Sequence, residues 1–105
     1  MNYILDRNNQ PVECDDMVQW AGWFDAASRD GRRIVAKTKL GHCEVSTVFL
    51  GIAYRHPDNA PPLLFEPMVF GIQFDGSQYR CCTWQEALWQ HEQVCDRVRA
   101  MTAAQ

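Results

Sequence analysis

Long hydrophobic runs are missing from this 105-residue chain. No stretch approaches the roughly 18 consecutive apolar residues of a membrane-spanning helix, so no membrane span is expected. Met1-Asn2-Tyr3-Ile4-Leu5-Asp6 offers neither a basic leader region nor an apolar one, so no secretory signal is expected. The chain has no G-x-G-x-x-G, P-loop, H-E-x-x-H or G-x-S-x-G pattern, which argues against the commonest dinucleotide, nucleoside-triphosphate, zinc-protease and serine-hydrolase readings. A strong charge of either sign is also lacking. Ten Lys and Arg against 13 Asp and Glu leave a net −3, too little for a nucleic-acid mimic and of the wrong sign for a general DNA binder. There is no C-x-x-C. The five cysteines are an odd number, which together with the absent leader reads as reduced thiols in the cytoplasm rather than a disulfide framework.

What is present is the material of one domain, residues 1–105, with 47% apolar and 22% charged residues. Two segments echo each other: Val45-Ser46-Thr47-Val48-Phe49-Leu50-Gly51-Ile52 and Leu63-Leu64-Phe65-Glu66-Pro67-Met68-Val69-Phe70-Gly71-Ile72. Both are apolar at most positions, as central strands are, and they are expected to pair antiparallel. Ile34 to Lys39 reads as a further strand, with Lys37 and Lys39 on one face marking an edge. Gly41-His42 then turns the chain into the first echo segment, and so short a connection requires antiparallel neighbours. Asp75-Gly76 predicts a second hairpin, with Tyr79-Arg80-Cys81-Cys82 as its return strand. Tyr3-Ile4-Leu5 is a short N-terminal strand candidate, ended by the turn formers Asp6 to Pro11.

Two helices are expected. Asp15 or Asp16 can cap the first, where Met17, Trp20, Ala21, Phe24 and Ala27 recur at helical spacing as far as Ser28. Thr83-Trp84-Gln85-Glu86 is a capping box for the second. Its apolar stripe is Trp84, Leu88, His91, Cys95 and Val98, joined by Ala87, Val94 and Met101. The predicted class is therefore α+β, in the order β-α-β-β-β-β-α. It is a four-stranded antiparallel meander, with the N-terminal strand as a possible fifth, carrying both helices on one face.

Chemistry is sparse. His91 and Cys95 lie four apart on one helix face, with Cys81 and Cys82 just before it, which invites a zinc reading. The apolar stripe and the opposite pointing of adjacent strand residues make them structural instead, and neither a metal nor a cofactor is expected. Cys82 beside a helix N-terminus invites a nucleophile reading, but His91 lies about two turns further on. Glu66 stands on an otherwise apolar strand face and needs a partner, for which Arg80 is the candidate across the hairpin. Arg29, Arg32, Arg33, Lys37 and Lys39 gather five of the ten basic residues into eleven positions. Without interleaved aromatics they read as a solvated face rather than a nucleic-acid site.

The segments Ser46-Thr47-Val48-Phe49-Leu50-Gly51, Pro62 to Gly71, and Thr83-Trp84-Gln85-Glu86-Ala87 with His91 resemble a group of small, uncharacterised bacteriophage and prophage proteins. In that group the pattern runs "STVFLG", a loop with an early His, "LLFETMVFGG" and "STWEEA…GH". His56 stands at the loop position. Pro67 replaces the group's Thr, which marks an edge or bulge, and Cys82 replaces its Ser. The resemblance spans about the last two-thirds of the chain. It implies a phage or prophage origin and a host-cytoplasm setting, and brings no catalytic residues with it.

Taken together, the expectation is a non-enzymatic phage or prophage accessory protein that works by protein–protein binding, its target left open between a host protein, a host-defence component among them, and a phage component. Trp89 falls off the buried helix stripe and is its named anchor. A small ligand-binding or enzymatic domain using Glu66 with His56 or His91 is the alternative. A virion or assembly component, revealed by self-association, is the third reading.

Overall fold

The computed structural model describes residues 1–54 and 60–103. His56, in the loop between the two echo segments, lies outside the described residues. The described residues form an α+β fold, with two α-helices and five strands in two antiparallel sheets. β1 (Tyr3–Leu5) and β2 (Pro11–Glu13) form a small hairpin, α1 spans Met17–Asp30, and β3 (Ile34–Leu40), β4 (Cys43–Tyr54) and β5 (Leu63–Phe70) make the main sheet in that spatial order. α2 (Trp84–Ala103) closes the chain.

The two echo segments are neighbours, in register from Glu44↔Phe70 to Phe49↔Phe65. Phe49 and Phe65 therefore share a sheet face. Trp23 of α1 meets Phe49 edge-on at 5.8 Å, and Trp84 of α2 meets Phe65 edge-on at 6.2 Å. Both helices thus bring an indole to the same face, as their patterning requires.

The predicted fourth strand of the meander does not form. Asp75 instead caps a 3-10 turn over Gly76–Tyr79, its carboxylate accepting from the Ser77 backbone N–H and hydroxyl. Only Cys81 bridges to β5, exchanging both backbone hydrogen bonds with Phe65. That pairing points the polar groups of Phe65 outward, and by the period of two those of Pro67 as well. Pro67 has no N–H to offer, so a fourth ladder ends after one rung. The turn uses the vacancy: a Cβ on Gly76 would lie 1.8 Å from the Pro67 carbonyl oxygen.

A second departure lies at the N-terminus. Pro11, read as the end of a turn, begins β2 and pairs with Leu5. Asp6 Oδ1 accepts from the backbone of Asn8 and Gln10 and folds the loop back, and Asn9 takes the left-handed conformation (φ 61°). The hairpin joins the main sheet through one bridge, Asn2↔Ile52, and the Ala53 N–H donates to the Met1 carbonyl.

The core divides in two. One part is aromatic, built on Phe49, Phe65, Leu64, Leu5 and Ala87; the other is Val45, Cys43, Val94, Cys95 and Val98. All five cysteines carry free thiols. Among the described residues no helix is long and apolar enough to cross a membrane.

Candidate functional site

α2 buries Ala87, His91, Val94, Cys95 and Val98, a three- and four-residue repeat that sets the orientation of the whole helix. Leu88, predicted on the buried stripe, is 43% exposed, and Met101 is exposed too. The true stripe is centred between Ala87 and His91, which turns Leu88 and Trp89 outward together. Trp89 is 62% exposed, and its indole N–H makes no hydrogen bond within the described residues.

Residues four, seven and eight positions on from Trp89 follow it along the helix face, and they are Gln93, Asp96 and Arg97. With Gln78 and Tyr79 from the 3-10 turn they border an open groove of about 510 Å³ beside the Trp89 ring. Tyr79 is held by stacking on Phe74, with ring centres 5.7 Å apart. Asp96 is engaged by Arg99 at 3.0 Å, whereas Arg97 has no ion-pair partner among the described residues. The groove thus offers two aromatic rings, amide side chains and one uncompensated positive charge. Helical spacing from Trp89 points to Gln93, Asp96 and Arg97; Tyr79 was invisible because the segment containing it reads as a strand.

His91 and Glu66 both have partners within the fold. His91 is 1% exposed and fits between two hydroxyls, Thr47 Oγ1 at 2.7 Å from Nδ1 and Thr38 Oγ1 at 2.8 Å from Nε2. A neutral ring satisfies both, donating through one nitrogen and accepting through the other. Burial lowers its pKa, against a weaker opposing pull from Glu92. Glu66 is buried and ion-paired with Arg80, the partner expected for it. Glu66 faces its register neighbour Val48, while His91 binds Thr47, one residue away on β4 and hence on the opposite face. Glu66 and His91 therefore do not converge on one site. His56, their other proposed partner, lies outside the described residues.

The two thiols at the start of α2 are not activated. Burial, followed by the Glu86 carboxylate, raises the pKa of Cys82, and the same causes push Cys81 up to about 12. Both shifts are opposite to what a nucleophile requires. Among the described residues no three His, Cys, Asp or Glu side chains gather as metal ligands. Most of the basic cluster has partners within the chain. Arg29 pairs with Asp25, Arg32 with Asp30 and Lys37 with Glu44. Arg33 donates to the Phe49 carbonyl and lies 4.0 Å from the Phe24 ring centre.

The chain matches no family model, no curated protein and no solved structure.

Proposed function

We propose that this chain is a small accessory protein of phage or prophage type that works by binding another protein through the Trp89 groove. The observation that carries the reading is the exposure of Trp89 on a helix whose other face is fully packed. Tryptophan contributes large contact area for little conformational entropy and is enriched among residues that dominate interface energy. The uncompensated Arg97 and the amides of Gln78, Gln90 and Gln93 select the partner's chemistry: an acidic side chain next to an apolar one, on a segment that also offers backbone groups. The resemblance of the strand and helix motifs to phage proteins is the reason to look for that partner in a bacterial host.

The test is affinity capture from host-cell extract with wild type, Trp89→Ala and Arg97→Glu in parallel, followed by sedimentation of each purified protein. One protein held by wild type and lost with both variants is the expected result, with Trp89→Ala costing about 2 kcal/mol of affinity or more. The melting behaviour of Trp89→Ala should stay within about 0.5 kcal/mol of wild type. An unfolded Trp89→Ala protein would make Trp89 a core residue and end the proposal. So would capture that ignores both substitutions. Concentration-dependent dimers abolished by the same changes would replace the foreign partner by a second copy of the chain.

A further inference from the structure

A second concavity lies away from Trp89, where the β1–β2 hairpin, α1 and the start of α2 come together. It is a cleft of about 600 Å³ bordered by Trp23, Trp84, Arg7, Arg32, Asp6 and Asn9, with apolar contributions from Leu5 and Ile34. That volume falls within the roughly 300–1,000 Å³ range of small-molecule sites. None of its polar residues is used by the Trp89 groove.

Its walls are preorganised. Trp23, Phe49, Phe65 and Trp84 form a row of four rings, with centroid separations of 5.8, 5.3 and 6.2 Å. The two inner rings are fully buried, so the indoles at either end are braced by the core. Arg32 pairs with Asp30, which accepts from Nε at 3.3 Å and Nη2 at 3.2 Å, and its guanidinium stands 6.0 Å from the Trp23 ring centre. Arg7 sits on the hairpin turn that Asp6 ties together through two backbone N–H groups.

Charge decides what such a cleft accepts. Two tryptophans beside Asp6, the carboxylate that borders the cleft, could form a cage for a cation, but two guanidinium groups border it as well. Asp30 is bound to Arg32, and Asp6 holds the turn. Arg7 has no ion-pair partner among the described residues, and Arg32 keeps Nη1 unused. The cleft lining thus carries two guanidinium groups against the single Asp6 carboxylate. Arg32 already stands over Trp23, so Trp84 is the ring without a cation on it.

From this geometry we infer that the cleft binds a flat aromatic small molecule carrying one anionic group, a carboxylate or a phosphate. The ring stacks on Trp84, and the anion bridges Arg7 and Arg32, where guanidinium groups give charge-assisted hydrogen bonds. A nucleoside monophosphate and an aryl carboxylate share this chemistry.

The test uses the four indole N–H resonances of the 105-residue chain, assigned with single Trp→Phe variants. Adenosine 5′-monophosphate and 2-naphthoate are titrated beside adenosine, 2-naphthamide and inorganic phosphate. The expected result is saturable movement of the Trp84 and Trp23 signals with at least one aromatic anion, at a Kd below about 1 mM. The matching neutral compound and phosphate alone should bind about 10-fold more weakly or worse. Arg7→Ala lies on an exposed turn and should leave the melting temperature unchanged while weakening binding about 10-fold. A preference for the nucleotide or for the aryl acid identifies the source of the ligand. No saturation by either anion, equal binding of the neutral compounds, phosphate binding as tightly, or full affinity in Arg7→Ala would each overturn the inference.

Discussion

The two helices of this protein are attached by different means. α2 runs across the main sheet and presents five fully buried side chains to it, one of them a histidine bonded to two strands. α1 buries only Ala27 completely. It is held at the end of the sheet by directed contacts. The Trp20 indole N–H is shared between the carbonyls of Tyr3 and Gly51 at 3.0 and 3.1 Å, and Phe24 lies against Gly51. One helix is fastened by area and the other by a few specific points. Area-based attachment degrades gradually under substitution, whereas point attachment fails at particular atoms.

Removing the polar centre of the α2 contact should have the largest effect. His91→Ala leaves a void and takes the ring partner from the buried Thr47 hydroxyl and the half-buried Thr38 hydroxyl, and should cost about 3 kcal/mol or more in chemical denaturation. The same residue sets a pH dependence. Burial holds the His91 pKa below the ordinary 6.5, so the folded protein keeps the ring neutral where the unfolded chain takes up a proton. Stability from this source is complete above pH 6.5 and declines as the pH falls below it. Melting temperatures measured from about pH 7.5 down to about pH 5 should fall less in His91→Gln than in wild type.

Breaking α1 requires a single methyl group. Gly51 has φ 78°, and a Cβ there would sit 2.8 Å from Phe24 Cε2. The Phe24 ring has little room to retreat, being stacked on Trp20 at 4.9 Å with Arg33 on its other contact at 4.0 Å. Gly51→Ala should cost about 2 kcal/mol, combining left-handed strain with overpacking. Amide exchange should show the loss concentrated in α1 and the β1–β2 hairpin, with α2 protected as before. Uniform loss across both helices would show that α1 is not separately fastened.

The smallest effects sharpen the comparison at the helix starts. Asp16 Oδ1 accepts from the Val18 and Gln19 N–H groups, while Thr83 Oγ1 accepts from Glu86 N at 3.0 Å and donates to the Glu86 carboxylate. Asp16→Ala and Thr83→Ala should each cost about 1 kcal/mol in thermal melts. Equal costs would mean that capping is local and indifferent to how the rest of a helix is held.

These contrasts were only partly legible beforehand. Caps and helix periodicity depend on neighbours in sequence, so Thr83 and one of the two candidate aspartates, Asp16, were legible, as was the antiparallel pairing of the two echo segments, whereas its register was not. The Glu66–Arg80 pair followed from the cost of burying a lone carboxylate. The missing fourth strand turned on which way the Pro67 nitrogen points, a matter of ladder phase that a composition of strand formers does not reveal. Leu88 was misplaced because two stripes one residue apart are equally apolar, and only contact with Thr38 and Thr47 selects the one centred near His91. The cleft between Trp23 and Trp84 joins residues some sixty positions apart, so no local pattern announces it.

Pro67 has one more effect, on how copies of the chain behave in a crowded solution. An open strand edge invites another molecule to add a strand, and repetition of that step leads to fibres. On the outer side of β5, Pro67 withholds a donor and the Gly76 turn lies close against its carbonyl, so the row of available backbone groups is interrupted midway. On the far side of the sheet, β3 presents exposed Lys37 and Lys39, whose charges would face their own copies across any added strand. Both margins of a strongly apolar three-stranded sheet are thereby made poor templates, one by missing hydrogen bonds and the other by repulsion.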